Sequence, residues 1–219
     1  VSLNVLILGP QGSGKGTQAA RIAEEYDIPH VATGEMFRRA IALRTPLGLE
    51  VEPILAGGTL VPDELTIDLM GERLGEDDTT TGFVLDGFPR NAAQAEALDE
   101  LLGDLGRPLD VVLELEVPDA VCLERLLGRS GEEGRVDDTP EVVAKRLEIY
   151  HRETAPLVSH YLPGGNVVGI DGDRPKDEVW AEIVDALERV SERPRSGLSA
   201  QRTGGGGSGE PGGSPERTR

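Results

Sequence analysis

The apolar run Leu3–Leu8 passes straight into a glycine-rich loop, Gly9-Pro10-Gln11-Gly12-Ser13-Gly14-Lys15-Gly16-Thr17, and then into a helical pattern over Lys15–Tyr26. No other feature of the sequence restricts the fold as much. A continuous apolar strand followed at once by a helix is the opening half of a βαβ unit, whose strand is buried on both faces in a parallel sheet. Further apolar runs at 83–85, 111–117 and 167–170, with a weaker one at 28–32, bring the expected strands to five. Helical spacing fills the intervals at 34–42, 62–74, 92–102, 119–127, 140–151 and 175–190. Thr139 before Pro140 reads as an N-cap with proline in the first turn. Strands alternating with helices predict a doubly wound α/β fold with helices on both faces of a parallel sheet. Such sheets bind ligands outside the carboxyl ends of their strands.

The loop itself has a chemistry. Glycines reach backbone conformations closed to other residues, so Gly12, Ser13, Gly14, Lys15 and Gly16 can turn their amides around a phosphate. The helix that follows presents its positive end to the same anion, and Lys15 adds a mobile charge for the outer phosphates. The usual pattern has Ser or Thr directly after the lysine. Here Gly16 stands there and the hydroxyl comes at Thr17, so Thr17 is not assigned as a direct Mg²⁺ ligand. Asp86 ends the run at 83–85, where a carboxylate can hold Mg²⁺ through water; capping the next turn is the alternative.

Composition removes several function classes. The chain of 219 residues carries 40 acidic and 22 basic side chains, a formal charge of −18. That balance argues against nonspecific binding to nucleic acid or anionic membrane. No stretch approaches the roughly 20 apolar residues of a membrane helix, and no basic leader precedes Leu3, so a cytoplasmic protein is expected. The single cysteine, Cys122, excludes an internal disulfide or a multi-cysteine metal site. With 3% aromatics, the core must come from Leu, Val, Ile and Ala. The segment 191–219 is glycine-rich, carries +2 and is expected to be a disordered tail, which leaves −20 on the first 190 residues.

Arginines stand out against that acidity. Arg38 follows the second expected strand and Arg90 the third, within Thr33-Gly34-Glu35-Met36-Phe37-Arg38 and Asp86-Gly87-Phe88-Pro89-Arg90. Two guanidiniums at one sheet edge suit a monophosphate, and Gln94 offers the donor and acceptor that reading a base requires. Arg125, Arg129, Arg135 and Arg146 gather around an expected short excursion at 130–136, beside Asp137 and Asp138. Phosphoryl transfer needs such a group to neutralise spread negative charge; surface salt bridging is the alternative, Arg125 above all.

Gly14-Lys15-Gly16-Thr17-Gln18, the two arginine segments and Gly134-Arg135-Val136-Asp137-Asp138 resemble the adenylate kinases and their nucleoside-monophosphate (NMP) kinase relatives from about residue 3 to 190. The resemblance implies a P-loop NTPase-type sheet with small NMP-binding (33–61) and lid (128–138) subdomains, the lid being short. It implies that Arg38 and Arg90 hold the AMP phosphate. Thr33, Gly87 and Gln94, with backbone at Thr59, Leu60 and Val61, would contact its adenine. Arg129, Arg135 and Arg146 would reach phosphates on closure, Arg125 would lie near the ATP adenine, and Arg174 would lie in the loop that packs on it. Relatives specific for UMP or CMP carry Ala in place of Thr33 and Asn in place of Gln94, so AMP is the implied acceptor. The implied reaction is MgATP plus AMP giving two ADP, by a monomer. A UMP/CMP or broad-specificity kinase, and more distantly a noncatalytic nucleotide-binding module or switch, are the other readings. His30, His151 and His160 carry no motif and are expected to be structural or surface residues.

Overall fold

A computed structural model describes residues 2–133 and 139–191, the side chains of 129–133 and 191 excepted. β1 (Leu3–Leu8) lies at the centre of a five-stranded sheet of order β2-β3-β1-β4-β5, completed by β2 (His30–Ala32), β3 (Gly82–Asp86), β4 (Val111–Glu116) and β5 (Val167–Asp171). Every pairing is parallel. The expected doubly wound α/β fold is what forms. From β1 the chain goes out to the edge strand β2, returns to β3 beside β1, then crosses to β4 and β5 on the other side. The order therefore reverses at β1, and the crevice of such a sheet opens beside the loop that leaves that strand.

All six residues of β1 are buried, as a strand covered on both faces requires. On one face Val5, Ile7, Leu113 and Ile170 pack against α1 (Lys15–Tyr26) and α9 (Lys176–Ser191) through Ile22, Val179 and Ile183. On the other, Leu6, Leu85 and Val112 meet α4 (Asp63–Leu74), α5 (Ala92–Asp104) and α8 (Leu157–Tyr161) through Met70, Leu98 and Leu157. Above the carboxyl edge, α6 (Asp119–Glu133) and α7 (Pro140–Ile149) share a small cluster of Cys122, Leu126, Val143 and Leu147. α2 (Thr33–Ala42) and α3 (Pro46–Ala56) form a satellite unit around Phe37, Val51 and Val61.

Four elements differ from expectation, the first being α8, for which no helical pattern was read. α3 was not expected, because Pro46, Gly48 and Pro53 interrupt its pattern; yet Thr45 caps Gly48 N at 3.0 Å and Pro46 sits in the first turn, where no amide donor is needed. α6 runs to Glu133 and not to 127, so residues 130–133 continue the helix in place of the expected excursion. β2 is shorter than its apolar run, because the Ile28 N–H still bonds back to the Ala23 carbonyl of α1, while Pro29, which has no N–H, only accepts from Val84 of β3. Among the described residues no helix is long and apolar enough to cross a membrane.

Candidate active site

Where β1 ends, Gly9, Gly12 and Gly14 adopt φ of 145°, 86° and 93°, values that L side chains avoid. A Cβ on Gly12 would lie 2.5 Å from the Cys122 carbonyl oxygen, so the loop is seated directly on α6. Ser13 Oγ is buried without a hydrogen-bond partner. Buried hydroxyls rarely stay unmatched, and an anion held in the loop would match this one. Lys15 Nζ donates to the Pro10 carbonyl at 3.0 Å, folded over the loop it belongs to.

Asp86 stands in register with Ile7, which brings it to the foot of the same loop. A Cβ on Gly16 would sit 3.4 Å from Asp86 Oδ2, so glycine at this position leaves the carboxylate uncovered. Thr17 lies one residue further into α1 and is exposed. His30 Nε2 approaches Asp86 Oδ2 at 3.6 Å from β2. Burial works to raise the Asp86 carboxyl, but His30, Lys15 and Arg90 outweigh it and hold the group below the usual carboxylate range. A charged, half-buried carboxylate beside a phosphate loop fits Mg²⁺ held partly by water and nucleotide oxygens. Among the described residues no three His, Cys, Asp or Glu side chains are placed to cage a metal by themselves.

Arg38 and Arg90 converge on the neighbouring strand ends. Arg38 lies one turn into α2 and its guanidinium folds back over Gly34, where a Cβ would stand 3.2 Å from Nη1. Arg90 Nε donates to the Gly87 carbonyl at 2.7 Å, and Thr33 Oγ1 donates to the same oxygen at 2.8 Å. Gly87 has φ 81°, and a Cβ there would be 2.9 Å from Thr33 Oγ1, so glycine is needed on both counts. Burial draws the Arg90 guanidinium below its ordinary value; Asp86 opposes this, while Arg146 and Arg38 add to it. Three guanidiniums thus act on one another here, an arrangement suited to an anion of more than one charge.

Thr33, Thr59, Leu60, Val61, Gly87, Arg90 and Gln94 line one cavity together with Gly34, Phe37, Leu55 and Thr66. It encloses only about 20 Å³, room for a water and not for a purine. A larger cavity of about 560 Å³ lies beyond Pro10, but Glu114, Glu116, Asp171 and Asp173 line it, which makes it a poor anion site.

Arg146 of α7 donates to the Leu55 carbonyl at 3.4 Å, and its neighbour Lys145 to the Gly57 carbonyl at 2.8 Å. Arg125 donates to the Gly172 carbonyl at 3.0 Å and lies 3.6 Å from Asp173, both in the loop after β5. Arg174, in that loop, is paired with Asp171 and Glu182. Arg135, Asp137 and Asp138, and the side chain of Arg129, lie outside the described residues, as does the segment 192–219.

Some residues that build the site carried no recognised motif. His30 meets Asp86, Thr154 Oγ1 donates to the Arg90 carbonyl at 2.6 Å, and Asp63 binds Gln94. Only Asp63 had a usable signal, since it directly follows Leu60, Val61 and Pro62. His151 and His160 pair with Asp119 and Asp99 at the surface, in structural roles as expected.

The family model described as adenylate kinase matches residues 7–165. An adenylate kinase of Xanthomonas euvesicatoria pv. vesicatoria is 47% identical over 187 residues, covering 85% of this chain and all of the relative. One from Bifidobacterium longum is 50% identical over 186 residues, with 85% and 100% covered, and one from Cyanothece sp. is 47% identical, with 85% and 95% covered. Matched over most of its length by that model and by relatives at close to half identity, the chain is a member of the adenylate kinase family.

Proposed function

We propose that this phosphotransferase moves the terminal phosphoryl group of MgATP to AMP, giving two ADP, and does so reversibly. The convergence of Arg38, Arg90 and Arg146 beside the phosphate loop carries the reading, because an enzyme with one nucleotide and a water acceptor has no use for a second phosphate grip. Gly12, Ser13, Gly14, Lys15, Gly16 and Thr17 serve the ATP phosphates. Arg125 and Arg174 belong to the adenine end, and Arg129 and Arg135 to the lid. Thr33, Thr59, Leu60, Val61, Gly87 and Gln94 form the AMP base site. Mg²⁺, held through water by Asp86, supplies charge neutralisation at the donor phosphates when bound.

No side chain here is positioned as a covalent nucleophile, so catalysis is alignment plus charge stabilisation. Lys15 and the arginines fix donor and acceptor in line and offset the charge that spreads over the transferring group. The subdomains at 33–61 and at 128–138, a short lid, close over the substrates and keep water from the donor. The narrow cavity supports this: α2 and α3 have to shift for a purine to enter. The protein is a cytoplasmic monomer, and its acidity is an adaptation to high salt.

A coupled assay with AMP, CMP, UMP and GMP as acceptors tests the substrate. AMP should lead by at least an order of magnitude in kcat/KM; equal or faster turnover of CMP or UMP refutes the assignment. Titration with ATP and AMP joined through five phosphates tests the class. A kinase of this kind binds the joined molecule far more tightly than ATP alone, and a nucleotide switch does not.

A further inference from the structure

Gln94 is buried to 1% exposure, and both ends of its amide are held. Its Oε1 accepts from the Arg90 backbone N–H at 2.8 Å, and its Nε2 donates to Asp63 Oδ1 at 2.7 Å. Asp63 Oδ1 also accepts from Asn91 Nδ2 at 2.8 Å, while Asn91 Oδ1 accepts from the Gln94 N–H at 3.0 Å and caps α5. A backbone N–H can only donate and a carboxylate can only accept. Turning the amide over would set its NH₂ against the Arg90 N–H and its oxygen against the carboxylate. The polarity of Gln94 is therefore fixed by its neighbours, with one N–H and one lone pair left over at the lining of the AMP cavity.

We infer that Asp63 is a specificity-determining positioning residue, which sets the purine accepted by fixing which end of Gln94 donates. The inference rests on the proposed placement of the AMP base beside Gln94. Adenine presents an acceptor at N1 beside a donor at its 6-amino group. Hypoxanthine has the same size and shape and presents the reverse, a donor at N1 and an acceptor at O6. A glutamine held in one sense reads the first, and the same glutamine turned over reads the second. Asp63 is one of the two groups opposing that turn. An asparagine in its place can rotate its own amide to face either end of Gln94. The turned state is then opposed by the Arg90 N–H and by Asn91 Nδ2, which donates to the same atom at position 63, but no longer by a group that can only accept.

The experiment measures kcat and KM for AMP and for IMP at saturating ATP, and KM for ATP, on the full chain carrying Asp63→Asn or Gln94→Leu. Asp63→Asn should lower the AMP-to-IMP ratio of kcat/KM on the order of tenfold. The change should lie mainly in the KM for the two acceptors, with the KM for ATP unmoved. Gln94→Leu should bring the ratio close to one. A ratio preserved in Asp63→Asn but collapsed in Gln94→Leu overturns the positioning role and leaves base reading by Gln94 standing. A ratio preserved in both overturns the base placement itself, and the inference with it. Equal losses for AMP and IMP in Asp63→Asn, with a lower Tm, reduce Asp63 to a structural residue and likewise overturn it.

Discussion

Lys15 and Arg90 are the residues proposed for the two phosphate grips, and each donates to a carbonyl of its own segment, Pro10 for the lysine and Gly87 for the arginine. Neither residue is part of the apolar clusters of the core, so truncation mainly removes charge from the site. Lys15→Ala and Arg90→Ala should each lower kcat/KM by on the order of 10²- to 10³-fold, with unchanged circular dichroism; near-normal turnover of either purified variant defeats the assignment. Both residues were legible in the sequence because their meaning lies in short local motifs. Thr154 and His30 were not, since each acts on a residue far away in the chain, and Asp63 had only its place after Pro62 to mark it, its partners lying 28 and 31 positions on. Cys122 tests the interior. Burial, assisted by Asp119, pushes its thiol from 9.0 up to about 11. Between those values the unfolded chain loses the proton and the folded chain keeps it, so stability falls as pH rises through this window. Denaturant midpoints from pH 8.5 to 11 should decline for the natural chain and decline less steeply for Cys122→Ala.

Helix α3 shows where reading by periodicity stops. Two prolines and a glycine conceal its pattern, although Thr45-Pro46 repeats the start signal read correctly at Thr139-Pro140. The glycine has its own reason: a Cβ on Gly48 would lie 2.1 Å from the Ala40 carbonyl oxygen, so α2 and α3 cross with no space for a methyl group. Gly48→Ala should force the two helices apart at a cost of about 1–3 kcal/mol, seen in chemical denaturation. It should also raise the KM for AMP more than that for ATP, because α2 carries Thr33 and Arg38; an equal rise for both substrates counts against a separate NMP-binding unit. The end of α6 was misread for a related reason. Gly128, Ser130 and Gly131 look like a stop in the sequence, yet the helix continues to Glu133. Propensity is a weak prior, and neighbouring elements override it.

At the scale of the whole molecule, alternation implied a parallel sheet covered on both faces but not its strand order β2-β3-β1-β4-β5, since several doubly wound orders share the same alternation. The charge is a property of the same scale. The 190 residues before the tail carry −20, with three lysines in the entire chain, while the cations of the site are nearly all arginine. Self-repulsion of that size weakens as salt shortens the screening length to a few ångströms near 1 M. Tm and turnover should both rise from low to molar KCl; a flat or falling curve removes the high-salt reading. The contact from α7 to α3 has a different consequence. Arg146 donates to the Leu55 carbonyl, across 91 positions of sequence. If this arginine serves phosphate, the chain supplies its own competitor for it. Binding is then an exchange of one acceptor for another, and the strength with which AMP is held is set as much by what α3 gives up as by what the nucleotide offers.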